Sequence, residues 1–87
     1  MTMRKRPLSF DDFIALRYLE TVGDQQTYRV GRTLGYDRVS GDRATPRARA
    51  LLRRLERWGY VASAKTNLHG NLIFWSLTDA GRAAVAQ

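Results

Sequence analysis

From Thr45 to Val61 the apolar positions Ala48, Leu51, Leu52, Leu55 and Trp58 recur at three- and four-residue spacings. That is the pattern of a helix with one buried stripe. Thr45 can cap its N-terminus with the side-chain hydroxyl, Pro46 suits the first helical position, and Gly59 is a natural stop. The spacing therefore predicts a helix of about three and a half turns. Upstream, Ser9 followed three residues later by Asp12 resembles a capping box with Asp in place of Glu, and Asp11 and Asp12 suit the positive end of a helix dipole. A first helix is predicted from about Phe10 to Glu20. Phe13, Ile14, Leu16 and Leu19 form its inward side, and Phe10 can join them. Residues 21–26, with Gly23 and Asp24, read as a turn. A second helix is predicted from Thr27 to Leu34, closed by Gly35, with Val30 and Leu34 inward and Gly31 permitting close approach of another helix.

Residues 36–44, Tyr-Asp-Arg-Val-Ser-Gly-Asp-Arg-Ala, show no apolar periodicity and read as a long, basic loop. After the central helix, residues 60–66 alternate loosely, residues 67–71 carry turn chemistry, and Leu72 to Leu77 is a β-branched and aromatic run, which together predict a β-hairpin. Both faces of its second strand are apolar, with Ile73, Trp75 and Leu77 on one and Leu72 and Phe74 on the other. A two-stranded ribbon on a small core can bury one of them, so self-association through Ile73 and Trp75, giving a homodimer, is an expectation. Thr78 then caps a short last helix from Asp79 to about Ala86. The expected organisation is a basic N-terminal arm over residues 1–8 and one folded unit over residues 9–87.

With 87 residues and 44% apolar composition the chain has side chains for a single core. A multidomain enzyme is excluded. There is no cysteine, so disulfides, thiolate chemistry and the usual zinc ligand sets are excluded with it; no metal or cofactor is expected. The net charge is +7, and residues 29–57 hold nine arginines against Asp37, Asp42 and Glu56. Six of the seven net charges thus belong to one segment, which favours a face for a polyanion over general solubility. Arg47, Arg49, Arg53, Arg54 and Arg57 cover the polar side of the central helix. Arginine's planar fork can grip a phosphate or a guanine edge at two points. Arg29 and Arg32 point outward from the second helix, Arg38 and Arg43 lie in the loop, and Arg4, Lys5 and Arg6 make the arm a candidate for the DNA backbone or minor groove. No apolar run approaches a membrane span, and Asp11 and Asp12 interrupt what would be a signal peptide, so a cytoplasmic protein is expected.

The segments Phe13-Ile14-Ala15-Leu16-Arg17-Tyr18-Leu19, Leu51-Leu52-Arg53-Arg54-Leu55-Glu56-Arg57-Trp58-Gly59-Tyr60-Val61 and Trp75-Ser76-Leu77-Thr78-Asp79-Ala80-Gly81-Arg82 resemble the winged helix-turn-helix core of MarR-type and PadR-type bacterial regulators. The resemblance covers residues 9–86. It implies an α+β fold: a small winged helix-turn-helix with a three-helix core, a β-hairpin wing and a short C-terminal helix. It implies base contacts from Arg47, Arg49 and Ala50 in the major groove, with Arg43 and Thr45 on the approach. Arg29, Arg32, Arg53 and Arg54 would lie nearer phosphates, and Lys65, Asn67 and His69 would belong to the wing. Residues 36–44 are longer than the family's usual tight turn, and the wing tip lacks the customary arginine. The long helices by which these regulators dimerise and bind effectors are absent, so no small-molecule effector is implied. The proportions are those of a phage-like protein or minimal repressor, in a bacterial or phage-infected cell.

Catalysis has no support in the sequence. His69 is the one histidine, it lies in a predicted turn, and no serine, cysteine or carboxylate is tied to it by a motif. Gly31-Arg32-Thr33-Leu34-Gly35 lacks the lysine and the preceding strand of a phosphate-binding loop. The expected function is sequence-specific binding of double-stranded DNA, with a repressor-like role in transcription regulation. The alternative is a winged-helix protein-interaction module that uses the apolar hairpin face and meets an acidic partner. RNA binding is a third reading, weaker because the aromatics look buried and not laid out for base stacking.

Overall fold

The computed structural model describes residues 7–66 and 72–86. In chain order the elements are α1 (Phe10–Val22), β1 (Gln25–Gln26), α2 (Thr27–Thr33), α3 (Tyr36–Ser40), a 3-10 turn (Gly41–Arg43), α4 (Ala44–Arg57), β2 (Val61–Thr66), β3 (Leu72–Leu77) and α5 (Asp79–Val85). The start of α1 is fixed as the sequence predicts. Ser9 N–H donates to Asp12 Oδ2 at 3.0 Å and Asp12 N–H donates to Ser9 Oγ at 3.1 Å, a reciprocal capping box. Leu8, which the sequence assigns to the arm, packs against the core. Residues 1–6, with Arg4, Lys5 and Arg6, lie outside the described residues. Phe10 does not join the core; it is 79% exposed.

Residues 36–43 depart most from expectation. They form a short helix and a 3-10 turn that runs directly into α4, so four helices precede the hairpin where three are expected. Tyr36 is the reason. Its side chain is 5% exposed and its hydroxyl donates to Asp11 Oδ2 at 2.8 Å, which nails the segment to α1. Thr45 correspondingly is not the cap of α4. The helix begins at Ala44, whose N–H donates to the Gly41 carbonyl of the preceding turn, and Thr45 lies inside its first turn. The other end stops as predicted: Gly59 N–H donates to the Glu56 carbonyl and Tyr60 N–H to the Leu55 carbonyl, each at 3.0 Å.

The sheet has three antiparallel strands in the order β1-β3-β2. Val61 pairs with Leu77 and Thr66 with Leu72, while Gln25 pairs with Trp75 and Gln26 with Phe74 on the other side. Strand β3 is therefore central. Trp75 is completely buried and donates its indole N–H to Thr27 Oγ1 at 2.8 Å, which ties β3 to the first residue of α2. This corrects the choice of residues expected to carry self-association: Trp75 is in the core and Ile73 is half-buried against it. Around Trp75 gather Ala15, Leu16 and Leu19 of α1, Val30 of α2, Leu51, Leu52 and Leu55 of α4, Val61 and Val85. Gly31 sits at the crossing of α2 and α4, where an added Cβ would lie 3.1 Å from the Ala44 carbonyl oxygen and 3.2 Å from Ala48 Cβ.

Candidate nucleic-acid interface

Helix α4 divides as its periodicity predicts. Ala48, Leu51, Leu52 and Leu55 are buried, while Pro46, Arg47, Arg49, Ala50, Arg53 and Arg57 are exposed. Pro46, Ala50, Arg53 and Arg57 follow one another at three- and four-residue spacings and form the crest opposite the core. Glu56 is the one acidic residue on this helix.

One flank of the crest meets α2 and β3. Thr45 and Arg49 line a groove together with Gln26, Thr27, Tyr28, Leu72 and Ile73. Tyr28 is 45% exposed there, and the Arg29 guanidinium carbon lies 5.4 Å from its ring centroid. Arg32 is exposed on the same helix, beside Tyr18 and Arg29. The other flank meets α3. Arg47 lies over the Tyr36 ring, 4.0 Å from its centroid, and its Nη1 donates to Ser40 Oγ at 3.0 Å. Burial, and then the bond to Asp11, push the Tyr36 hydroxyl up to about 12, so it stays a neutral donor. Arg38 and Arg43 are exposed on α3 and the 3-10 turn.

Two arginines assigned to phosphates have carboxylate partners. Arg54 Nη2 donates to Asp12 Oδ1 at 2.6 Å, and Asp12 is 1% exposed. Arg54 is thus drawn inward, and its Nε is buried with no hydrogen-bond partner among the described residues. Arg53 Nη1 donates to Glu56 Oε1 at 2.9 Å, and Ser63 Oγ of β2 donates to Glu56 Oε2 at 2.6 Å. The hydroxyl of Ser63, ahead of the Arg53 bond, holds Glu56 below the usual carboxylate range. Lys65 is exposed on β2; Asn67 and His69 lie outside the described residues.

Sequence reasoning missed Tyr28, Tyr36 and Ser40, and it placed Arg57 on the polar side of the helix without giving it a DNA contact. Arg57 was legible as the next step of the crest after Arg53, and Tyr28 as an outward position once Val30 and Gly31 face in. Tyr36 and Ser40 carried no periodic signal. Among the described residues, no group of three or more His, Cys, Asp and Glu side chains could hold a metal ion, and no helix is long and apolar enough to cross a membrane.

No protein-family model and no curated protein sequence matches the chain. Solved structures do. Bordetella bronchiseptica BpsR, whose DNA binding is regulated by 6-hydroxynicotinic acid, is similar with a TM-score of 0.74 at 22% identity, over 91% of this chain and 55% of that one. The transcriptional regulator PA4135 is similar with a TM-score of 0.74 at 23% identity, over 91% and 53%. A transcriptional regulator from Clostridium thermocellum, Cth-833, follows with 0.68 at 22% identity, over 90% and 75%. The chain spans about half the length of the first two. In this chain helices α2 and α4 pack across Gly31, a hairpin follows α4 and a short strand before α2 closes the sheet, and with the likeness to these structures the fold is a winged helix-turn-helix.

Proposed function

We propose that this chain binds double-stranded DNA in a sequence-specific way and regulates transcription, repressor-like, by occupying its site. The observation that carries the proposal is the outward side of α4: Arg47, Arg49, Arg53 and Arg57 are exposed around the small residues Pro46 and Ala50, on a helix whose opposite side is core. An α-helix of this width fits the major groove, and the small residues at the crest allow close approach to base edges. In this reading Arg47, Arg49 and Ala50 meet bases, with Arg43 and Thr45 nearby. Arg29, Arg32 and Arg53 reach phosphates, and Arg38, Lys65, Asn67, His69 and the arm residues Arg4, Lys5 and Arg6 extend the contact. Arg54 contributes field and not a direct bond, because Asp12 holds its fork. The kinship in fold with proteins that regulate transcription supports the same reading. The rival, a protein-interaction surface on the apolar faces of Leu72 to Leu77, loses Trp75 to the core.

Fluorescence anisotropy of a random-sequence duplex across a salt series, beside a single-stranded RNA of equal length, tests it. Duplex affinity should be micromolar and fall with salt at a log–log slope of about −5, as expected if about six phosphates are neutralised. Absence of duplex binding at low salt would overturn the proposal.

A further inference from the structure

The arginines of α4 whose contacts are fixed fall into two kinds. Arg53 and Arg54 have carboxylate partners, Glu56 at the surface and Asp12 in the interior. Arg47 is held by neutral groups. Its flat face rests on the Tyr36 ring at 4.0 Å and one Nη1–H is taken by Ser40 Oγ at 3.0 Å. The ring is itself immobilised, since the Tyr36 hydroxyl donates to Asp11 Oδ2 of α1 at 2.8 Å. Among the described residues Arg47 forms no ion pair, and its side chain remains exposed. A guanidinium has five N–H donors in one plane. Stacking uses the face and leaves the edge; Ser40 takes one of the five. An edge with two parallel N–H groups remains for a planar acceptor pair, and guanine offers one in N7 and O6. Holding a long side chain without neutralising it is what a preorganised reader of a base edge requires, because the ordering cost is met before the ligand arrives.

We infer that Tyr36 and Ser40 are positioning residues that present Arg47 to a guanine in the major groove, so that the short helix α3 is part of the sequence-reading apparatus and not a linker. The inference rests on the DNA-binding reading above. It also gives a use to the segment that runs longer than the usual tight turn between the two helices.

The test starts from the duplex preferred by the whole 87-residue chain in selection from a random pool. Each guanine of that site is replaced in turn by 7-deazaguanine, which lacks the N7 acceptor, and affinities are compared with those for a scrambled duplex. For the unaltered protein one replacement should weaken binding about tenfold, and Arg47→Ala should abolish the sensitivity to that position. Ser40→Ala and Tyr36→Leu should reduce the sensitivity to less than about threefold while affinity for the scrambled duplex falls less than twofold, since phosphate contacts set the latter. Ser40→Thr, which keeps the hydroxyl, should retain the preference. Circular dichroism verifies folding, and if Tyr36→Leu does not fold, Tyr36→Phe, which frees the ring from Asp11, takes its place beside Ser40→Ala. Full retention of the guanine preference in both positioning variants overturns the inference and leaves DNA binding standing. A wild-type preference with no Arg47-dependent guanine does the same. Failure of the wild-type chain to bind any duplex overturns the DNA-binding reading itself.

Discussion

At the first turn of α1 the Asp12 carboxylate accepts from the Ser9 N–H at 3.0 Å and from Arg54 at 2.6 Å, almost out of reach of water. One side chain thus caps a helix and anchors the middle of α4 to it. Asp12→Ala removes the carboxylate half of the capping box, keeps the Ser9 Oγ bond in place and leaves Arg54 facing a carboxylate-sized gap. The Arg54 side chain keeps 39% exposure and can partly re-hydrate. The loss of stability should therefore be about 2–3 kcal/mol, read from urea unfolding. Glu56 gives a pH signature of opposite location, on the surface between α4 and β2. Its pKa lies below the usual 4.5 because Ser63, and then Arg53, favour the carboxylate. A carboxyl lowered on folding stabilises the folded state above its unfolded pKa, and the gain disappears as pH falls through the folded value. Glu56→Gln should cost less than about 1 kcal/mol near neutral pH and approach the wild-type chain in acid, once the pH is below the folded pKa of Glu56. Parallel urea curves at the two pH values check both the sign and the convergence.

At the scale of elements, the joint between α5 and the turn after α4 is the most tightly built. Thr78 N–H donates to the Tyr60 carbonyl at 3.1 Å, Thr78 Oγ1 donates to the Gly59 carbonyl, and Gly81 N–H donates back to Thr78 Oγ1. A Cβ at Gly81 would collide with the Tyr60 carbonyl oxygen and approach Leu77 Cδ2 at 2.9 Å. Gly81→Ala should then destabilise the protein by about 1–3 kcal/mol, and more than Gly31→Ala, whose Cβ asks its neighbours to give by only a few tenths of an ångström. Thermal unfolding of the two variants side by side gives the ranking. The long elements were legible because their periodicity is their packing: the stripe of α4 and the capping box of α1 read the same in sequence and structure. The pieces that were not legible bury almost nothing of their own. Helix α3 is held by Tyr36, reaching an acceptor on α1, and by Ser40, accepting from Arg47 of α4, and β1 is two glutamines whose strand character comes only from pairing with β3. For the same reason the arginine assignments split, since whether a fork is free or tethered depends on carboxylates distant in sequence, as Asp12 is from Arg54.

For the whole molecule, an excess of positive charge confined to residues 29–57 sets two responses to salt against each other. Crowded arginines repel in the free protein, and screening relieves that repulsion. The melting temperature without DNA should rise by a few degrees from roughly 20 mM to 200 mM salt. Duplex affinity over the same range should fall. Differential scanning fluorimetry with and without duplex would display both, and a melting temperature that falls with salt in the free protein would contradict a self-repelling arginine face.

Strand β3 pairs on one side with the residues just before α2 and on the other with those just after α4. The helix-turn-helix therefore leaves this strand and returns to it, like a loop of cord closed by a single clasp. All the residues assigned to DNA precede β3, so during synthesis the entire binding surface emerges before the piece that shapes it. A nascent or truncated chain ending before Leu72 carries those cations without the pairing at Gln25 and Val61 and without Trp75 at its centre. Such a fragment should attract nucleic acid only as a flexible polycation, with no preference among sequences, and the competence to choose a site should appear once β3 and α5 have both left the ribosome.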